Sequence, residues 1–279
     1  MPNITGHTEL VGLMAYPIRH TQSPTTHNLA YDKNGDDVIQ LAFEVDNSTL
    51  KEAVESIRAL KMLGSNISMP NKTVVHQYLD EVDEAAKLCG AINTVVNLRD
   101  ENGNVTGKLK GYNTDGMGYW QGIKEEGIDF KGMKLVLIGT GGAATAIAVR
   151  RALDGIAQLD IFNIRDKFYA RGEEIVETIN QNTDCKAYMH DLADLALLKA
   201  KMQEADIFCD ATGVGMHPLE DLSNIPDPSY FRKDLIVTDT VYAPRETVMM
   251  KQAKASGCER VYNGMSMMLF QASIAIRLY

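Results

Sequence analysis

One stretch restricts the fold of this chain more than any other: LVLIGTGGAATA, residues 135–146. A near-continuous apolar run, as expected of a parallel strand buried on both faces, leads straight into Gly139-Thr140-Gly141-Gly142-Ala143-Ala144 and then into an Ala-rich helical segment. This is G-x-G-x-x-A in strand–turn–helix context. Gly139 permits the tight turn. Gly141 has no Cβ, so a pyrophosphate can approach the backbone, and Ala144 lets the helix sit close to the strand. The helix start, at Gly142 and Ala143, offers free N–H groups and a partial positive charge to phosphate. Dinucleotide binding is favoured over a merely structural turn.

Around this turn, short apolar runs alternate with helical patterns. Strands are expected at 9–15, 41–45, 66–69 and 91–98, with helices at 24–34 and 48–61. The second helix places Leu50, Ala53, Val54, Ile57 and Leu60 at helical spacing. After 91–98 the chain turns at Glu101–Gly103 toward a polar hairpin partner. The pattern pauses at GYNTDGMG (111–118), where Gly and Asn are dense, which suits a domain junction. A helix at 115–126 follows. Alternation then resumes with strands at 133–139, 158–163, 185–189, 206–212 and 235–241 and helices at 142–154, 167–180, 192–203 and 245–256. The last segment, 264–279, reads as a helix too apolar to face water. Strands alternating with helices imply βαβ units and a mainly parallel sheet. At 279 residues the chain exceeds the usual size of a single core, so two α/β domains are expected.

A net charge of −9 is poor for a nucleic-acid partner, because phosphate contacts need clustered Lys and Arg. No apolar run approaches the length of a membrane span, and no basic-then-apolar leader opens the chain. Cys89, Cys185, Cys209 and Cys258 stand far apart, which fits small buried groups in a reducing cytoplasm rather than disulfides or zinc. His7, His20, His27, His76, His190 and His217 show no metal-ligand spacing, so no metal is expected.

The residue that reads the adenosine ribose should end the strand after the glycine turn. That position holds Asn163, an amide; Asp166 could accept from a ribose 2′-hydroxyl, and Arg165 could face adenine or a 2′-phosphate. Two further segments look chemical. SMPNK (68–72) sets Lys72 after a strand end, and YNTDG (112–116) sets Asp115 at the junction. An ammonium and a carboxylate of this kind can pass a proton to or from a substrate hydroxyl, although spacing alone does not bring them together.

HTQSP (20–24), SMPNK (68–72), GAINTVV (90–96), GYNTDG (111–116), GTGGAATA (139–146), TGVGM (212–216), VYAP (241–244) and MLFQA (268–272) follow one another as in the shikimate dehydrogenases, which the chain resembles over essentially its whole length. LMAYPIRH, LAFEVD, SMPNK and FNIRD look closest to the quinate/shikimate branch. The resemblance implies a substrate domain, 1–114 plus 264–279, and a Rossmann domain, 115–263. It implies Lys72 as general acid/base with Asp115 as partner, and Ser23 with Thr21 at the substrate carboxylate. Ser68, Asn93, Thr114 and Gln271 would bond ring hydroxyls, with Tyr242 near substrate and nicotinamide. Thr212 and Met216 would sit near the nicotinamide, Gly264 would bind the cofactor, and Met265, Met267 and Met268 read as helix packing, with Met267 able to shield the nicotinamide face. The partner so implied is a small cyclic polyhydroxy acid, shikimate or quinate; a homodimer is left open.

Three departures stand out. NADP-dependent members carry Arg directly after the Asn, where this chain has Ile164. An apolar residue cannot pair a phosphate dianion and Asp166 would repel it, so NAD is preferred and NADP kept as a second option. Ser266 stands where the family usually has Gly, which is expected to alter backbone contact with nicotinamide. Relatives also usually continue beyond the last helix. Two other readings remain: an NADP-specific shikimate dehydrogenase of aromatic amino acid biosynthesis, and a non-catalytic metabolite-sensing relative. Intact Lys72 and Asp115 count against the sensor.

Overall fold

The computed structural model describes residues 4–279. The chain divides into two compact units, one running up to Thr114 and including Ala272–Tyr279, the other Asp115–Gln271.

The first unit contains β1 (Glu9–Ala15), α1 (Ser23–Asn34), β2 (Val38–Glu44), α2 (Leu50–Ala59), β3 (Gly64–Ile67), β4 (Glu81–Val82), α3 (Glu84–Cys89), β5 (Thr94–Arg99) and β6 (Val105–Tyr112). The sheet order is β2-β1-β3-β5-β6-β4. Pairs β1–β2, β1–β3 and β4–β6 are parallel, while β3–β5 and β5–β6 are antiparallel. Two short 3-10 turns, Asn71–Thr73 and Val75–Tyr78, link β3 to β4. Pro24 sits in the first turn of α1, where its missing N–H is harmless. In α2 the stripe Leu50, Val54 and Ile57 is buried against a core with Met14, Ile67, Val95 and Leu109. Leu60 departs from that stripe. The helix stops at Ala59, Lys61 adopts φ +52, and Leu60 is 66% exposed. The strand expected at 91–98 starts only at Thr94.

The second unit contains most of α4 (Thr114–Lys124), then β7 (Lys134–Ile138), α5 (Gly142–Leu153), β8 (Gln158–Asn163), α6 (Tyr169–Asn182), β9 (Lys186–Asp191), α7 (Leu195–Glu204), β10 (Ile207–Asp210), β11 (Ile236–Asp239), α8 (Val248–Ala255), β12 (Val261–Tyr262) and the first half of α9 (Met265–Leu278). Its six strands are all parallel, in the order β12-β11-β10-β7-β8-β9. The chain leaves β7 toward β8 and β9, then returns to the other side of β7 for β10. The carboxyl ends of β7 and β10 therefore form a topological switch point, where open parallel sheets place ligands. Val136, Ile138, Phe162, Phe208 and Val237 fill one face of this sheet with the helices packed on it.

The unit boundary falls within α9. Its first half packs closely on α4: a Cβ on Gly118 would stand 2.3 Å from the Gln271 backbone nitrogen, and one on Gly122 would stand 2.3 Å from Ser266 Cβ. Met268 and Leu269 of α9 are exposed, so this helix is less completely covered than its apolar composition implied. No helix among the described residues is long and apolar enough to cross a membrane.

Candidate active site

In the first unit, the sequence-predicted residues collect at one end of the sheet. Ser23 follows β1, Ser68 follows β3, Asn93 precedes the antiparallel β5 and Thr114 follows β6. The register pairs Asn66 with Thr94, and Thr94 with Tyr112, so these three strands bring their ends together.

A buried polar chain fixes that end. Gln40 Nε2 donates to Asn66 Oδ1 at 2.8 Å, and Thr94 Oγ1 donates to Asn93 Oδ1 at 3.0 Å. Asn93 Nδ2 in turn donates to Thr114 Oγ1 at 3.0 Å, and the Thr114 N–H returns a bond to Asn93 Oδ1 at 2.8 Å. Paired amides and hydroxyls of this kind hold their orientation, since an unpaired buried polar group costs about 1–3 kcal/mol.

Lys72 lies in the first 3-10 turn, where its carbonyl accepts from Ile92 N–H at 2.8 Å. Buried Asn71 anchors the turn by donating from Nδ2 to the Val45 carbonyl at 2.8 Å. Lys72 also lines a cavity of about 440 Å³ with His76, Lys87 and Ile92. The Ser23 N–H donates to Thr21 Oγ1 at 3.2 Å, and the Ser23 carbonyl accepts from His27 Nδ1 at 2.9 Å. Burial pushes the His27 pKa down, so this ring is a neutral brace for α1. His20 is exposed nearby in sequence.

In the second unit, Asp115 is half-buried in the first turn of α4, where a carboxylate is favoured by the helix dipole. The β7 turn is open. Gly139 has φ +111, and a Cβ there would meet the Ala211 carbonyl oxygen at 2.9 Å. That glycine is required by the fold itself. Gly141 and Gly142 differ: a Cβ on either would enter empty space. Gly141 is also the N-cap of α5 and no side chain caps the helix. Backbone N–H groups thus face an open cradle, which fits a pyrophosphate. Ala144 is buried against the sheet, and Ala143 is half-buried.

At the far end of β8, Asn163 Nδ2 donates to the Ile164 carbonyl at 2.8 Å and to Asp166 Oδ1 at 3.0 Å. The Phe168 N–H also donates to Asp166 Oδ1 at 2.9 Å, and no described residue bonds Oδ2. Arg165 donates from Nε to Asp191 Oδ2 at 2.6 Å and lies over the Tyr169 ring. Ile164 is 56% exposed.

The opposite side of the switch point carries Thr212 and Met216 after β10, and Tyr242 after β11. Met216 and Tyr242 are exposed and Thr212 is half-buried. Gly264 lies under this loop pair: its N–H donates to the Val241 carbonyl at 2.9 Å, and a Cβ would meet the Thr240 carbonyl oxygen at 1.9 Å. No side chain fits at this position. Met267 is half-buried in α9, and Gln271 Nε2 folds back to the Met268 carbonyl at 3.3 Å. Ser266 was expected to alter backbone contact with nicotinamide. Its Cβ and hydroxyl lie against Gly122 of α4.

Sequence reasoning missed Asp210 and Asp239, which brace the two loops of this side. The one available signal was an Asp closing each of the apolar runs DIFCD and LIVTD. Among the described residues no group of three or more His, Cys, Asp or Glu is placed to hold a metal. All four cysteines are buried, and none forms a disulfide among the described residues.

An open glycine turn at the switch point of an all-parallel sheet, together with a first unit rich in paired polar groups, fits a two-domain α/β dehydrogenase. Residues 13–95 match the family described as shikimate dehydrogenase substrate binding domain. The chain is 48% identical over 276 residues to the shikimate dehydrogenase (NADP(+)) of Listeria monocytogenes serotype 4b, spanning 99% of this chain and 92% of that one. The crystal structure of Listeria monocytogenes shikimate 5-dehydrogenase in complex with shikimate and NAD has a TM-score of 0.94 at 47% identity, covering 100% of this chain and 94% of that one. Quinate dehydrogenase from Corynebacterium glutamicum in complex with NAD has a TM-score of 0.83 at 29% identity, covering 97% and 93%. The chain belongs to the shikimate dehydrogenase family, oxidoreductases acting on a CH–OH group.

Proposed function

We propose that this chain reversibly oxidises one ring hydroxyl of shikimate, quinate or both to the 3-dehydro compound, with Lys72 and Asp115 as the acid/base pair. A nicotinamide dinucleotide, when bound, supplies the hydride acceptor. Lys72 as the free amine takes the proton of the reacting hydroxyl during oxidation, and as the ammonium returns it during reduction. Ser23 and Thr21 bind the substrate carboxylate. Ser68, Asn93, Thr114 and Gln271 bond the remaining hydroxyls, and Tyr242 borders the reacting carbon. The observation that carries this reading is the Asn93–Thr114 pair with Lys72 and Ser68 at one sheet end. A polyol needs several pre-oriented donors and acceptors there.

NAD is proposed as the preferred cofactor. Exposed Ile164 offers nothing to a 2′-phosphate, Arg165 is already held by Asp191, and Asp166 Oδ2 suits a ribose hydroxyl. The NADP reading is favoured by the name of the 48%-identical Listeria relative. Initial rates with quinate or shikimate, each with NAD⁺ or NADP⁺, test both. A clearly higher kcat/KM with NAD⁺ is expected, and the polyol ratio assigns the branch. A preference for NADP⁺ overturns the cofactor assignment. No turnover in any combination overturns the catalytic reading. A second copy of the chain is a possible partner to be tested by sedimentation.

A further inference from the structure

Asp210 and Asp239 end neighbouring parallel strands and face each other in register. Both are buried, at 2% and 1% exposure. Each holds one loop of the switch point. Asp210 Oδ1 accepts from Thr212 N–H at 3.0 Å and from Thr212 Oγ1 at 2.7 Å, and Asp210 Oδ2 accepts from Asn224 Nδ2 at 2.9 Å. Asp239 Oδ1 accepts from Val241 N–H at 2.8 Å, and Oδ2 accepts from Thr247 Oγ1 at 2.8 Å. Thr247 also packs against Gly215 of the first loop. The two loops are the ones carrying Thr212, Met216 and Tyr242.

We propose that Asp210 and Asp239 are positioning residues for the nicotinamide end of the cofactor, and that ionising both of them loosens the two loops. The proposal rests on the dinucleotide reading of this unit. Five donors converge on the pair, which favours ionised carboxylates, yet two adjacent buried negative charges repel strongly. The titratable groups around them do not relieve this. Burial pushes the neighbouring Cys209 thiol up to about 12 and the Tyr119 hydroxyl of α4 well above its ordinary value, so both stay neutral. Burial, then the charge of Asp210, pushes the Asp239 carboxyl up to about 7. Asp210 is likewise raised by burial.

The sign follows from linkage. The folded chain keeps a proton on Asp239 up to about 7, whereas an unfolded Asp loses it near ~4. Stability from this group is therefore present at low pH and lost as pH rises through that window. Above it, both carboxylates are charged at the root of both loops.

The test is fluorescence titration of NADH and NADPH into the full-length protein from pH 6 to 8.5, for wild type, Asp210→Asn and Asp239→Asn, with thermal melts in parallel. The wild-type Kd for the better-bound cofactor should rise roughly fivefold across that interval. Asp210→Asn removes the repulsion, so its Kd should stay nearly level and its Tm relative to wild type should increase with pH. Asp239→Asn should also flatten the Kd profile, which covers the case in which Asp210→Asn does not fold. Equal Kd slopes in wild type and variants overturn the proposal. Melts that respond while Kd does not make the pair purely structural, and also overturn it. Expected titrations without polyol oxidation would uphold the pair and sink only the catalytic reading. Failure of both reduced cofactors to bind would sink both.

Discussion

At the strand ends of the first unit, Asn93 and Thr114 already bond each other and are backed by Thr94, Asn66 and Gln40. At the β7 turn of the second unit the reverse holds: Gly141 and Gly142 face empty space, and no side chain caps α5. On the proposed reading, the first region would recognise a polyol through side chains fixed by their neighbours, and the second a pyrophosphate through an open backbone. A polyol differs from its analogues by the placement of hydroxyls, so its site needs oriented partners. A pyrophosphate is the same in every dinucleotide, so a bare backbone suffices.

The sharpest break of this contrast is at Lys72. Lys72→Met keeps the length of the stem and removes the proton carrier. The expected loss in kcat is about 10²–10⁴-fold, with cofactor Kd unchanged. A kcat within a few fold of wild type would remove Lys72 from the chemistry. Asn93→Ala attacks the polar chain instead. It leaves Thr114 and Thr94 without their shared partner, and kcat/KM for the polyol should fall by roughly 5–100-fold. Cofactor titration should not move. If it does, the two regions are less independent than their construction implies.

Gly139 and Gly141 test the other side of the contrast, because they are two residues apart and have different neighbours. Gly139→Ala forces a side chain into a φ of +111 against the Ala211 carbonyl, so it should destabilise the fold by about 1–3 kcal/mol, read as a lower Tm. Gly141→Ala meets nothing in the protein. Its Tm should hold while cofactor affinity drops roughly tenfold, the value of one charge-assisted backbone bond. Equal Tm losses would mean that both glycines serve only the turn.

These two glycines also mark how far the sequence could be read. The β7 turn was legible because everything it needs is local: a buried strand, three glycines and a helix within one short run. The long alternating segments were legible for the same reason, and the break at Thr114 showed as a change in composition. β4 and β12 have two residues each, too few to display a period, and α3 is a single short helix between β4 and β5. Leu60 matched the stripe of α2 but fell past its end. Asp210 and Asp239 became a pair only through strand register, which no single segment states. The roles of Ser68, Asn93 and Gln271 came from resemblance, since Ser, Asn and Gln at such spacing have no chemistry of their own.

The smallest expected effect lies at Ile164, where the two kinds of recognition meet. If the open turn holds the pyrophosphate, it does not distinguish NAD from NADP, and discrimination would fall to side chains after β8. Arg165 supplies the one guanidinium in FNIRD, but it is bonded to Asp191 and stacked on Tyr169. Moving it to a phosphate would break that pair. Ile164→Arg adds a cation at an exposed position with no such commitment. It should raise the NADP⁺ to NAD⁺ ratio of kcat/KM about fivefold, a modest gain because the site is solvated and Asp166 competes for the new charge. The gain should shrink with added salt, as an exposed ion pair must. Measuring the ratio at two ionic strengths separates charge from shape. A ratio that rises equally at both would mean that the new guanidinium acts through shape or stacking and not through its charge. A ratio that does not rise at all would move the ribose away from the end of β8, and with it the argument that Asp166 receives the 2′-hydroxyl.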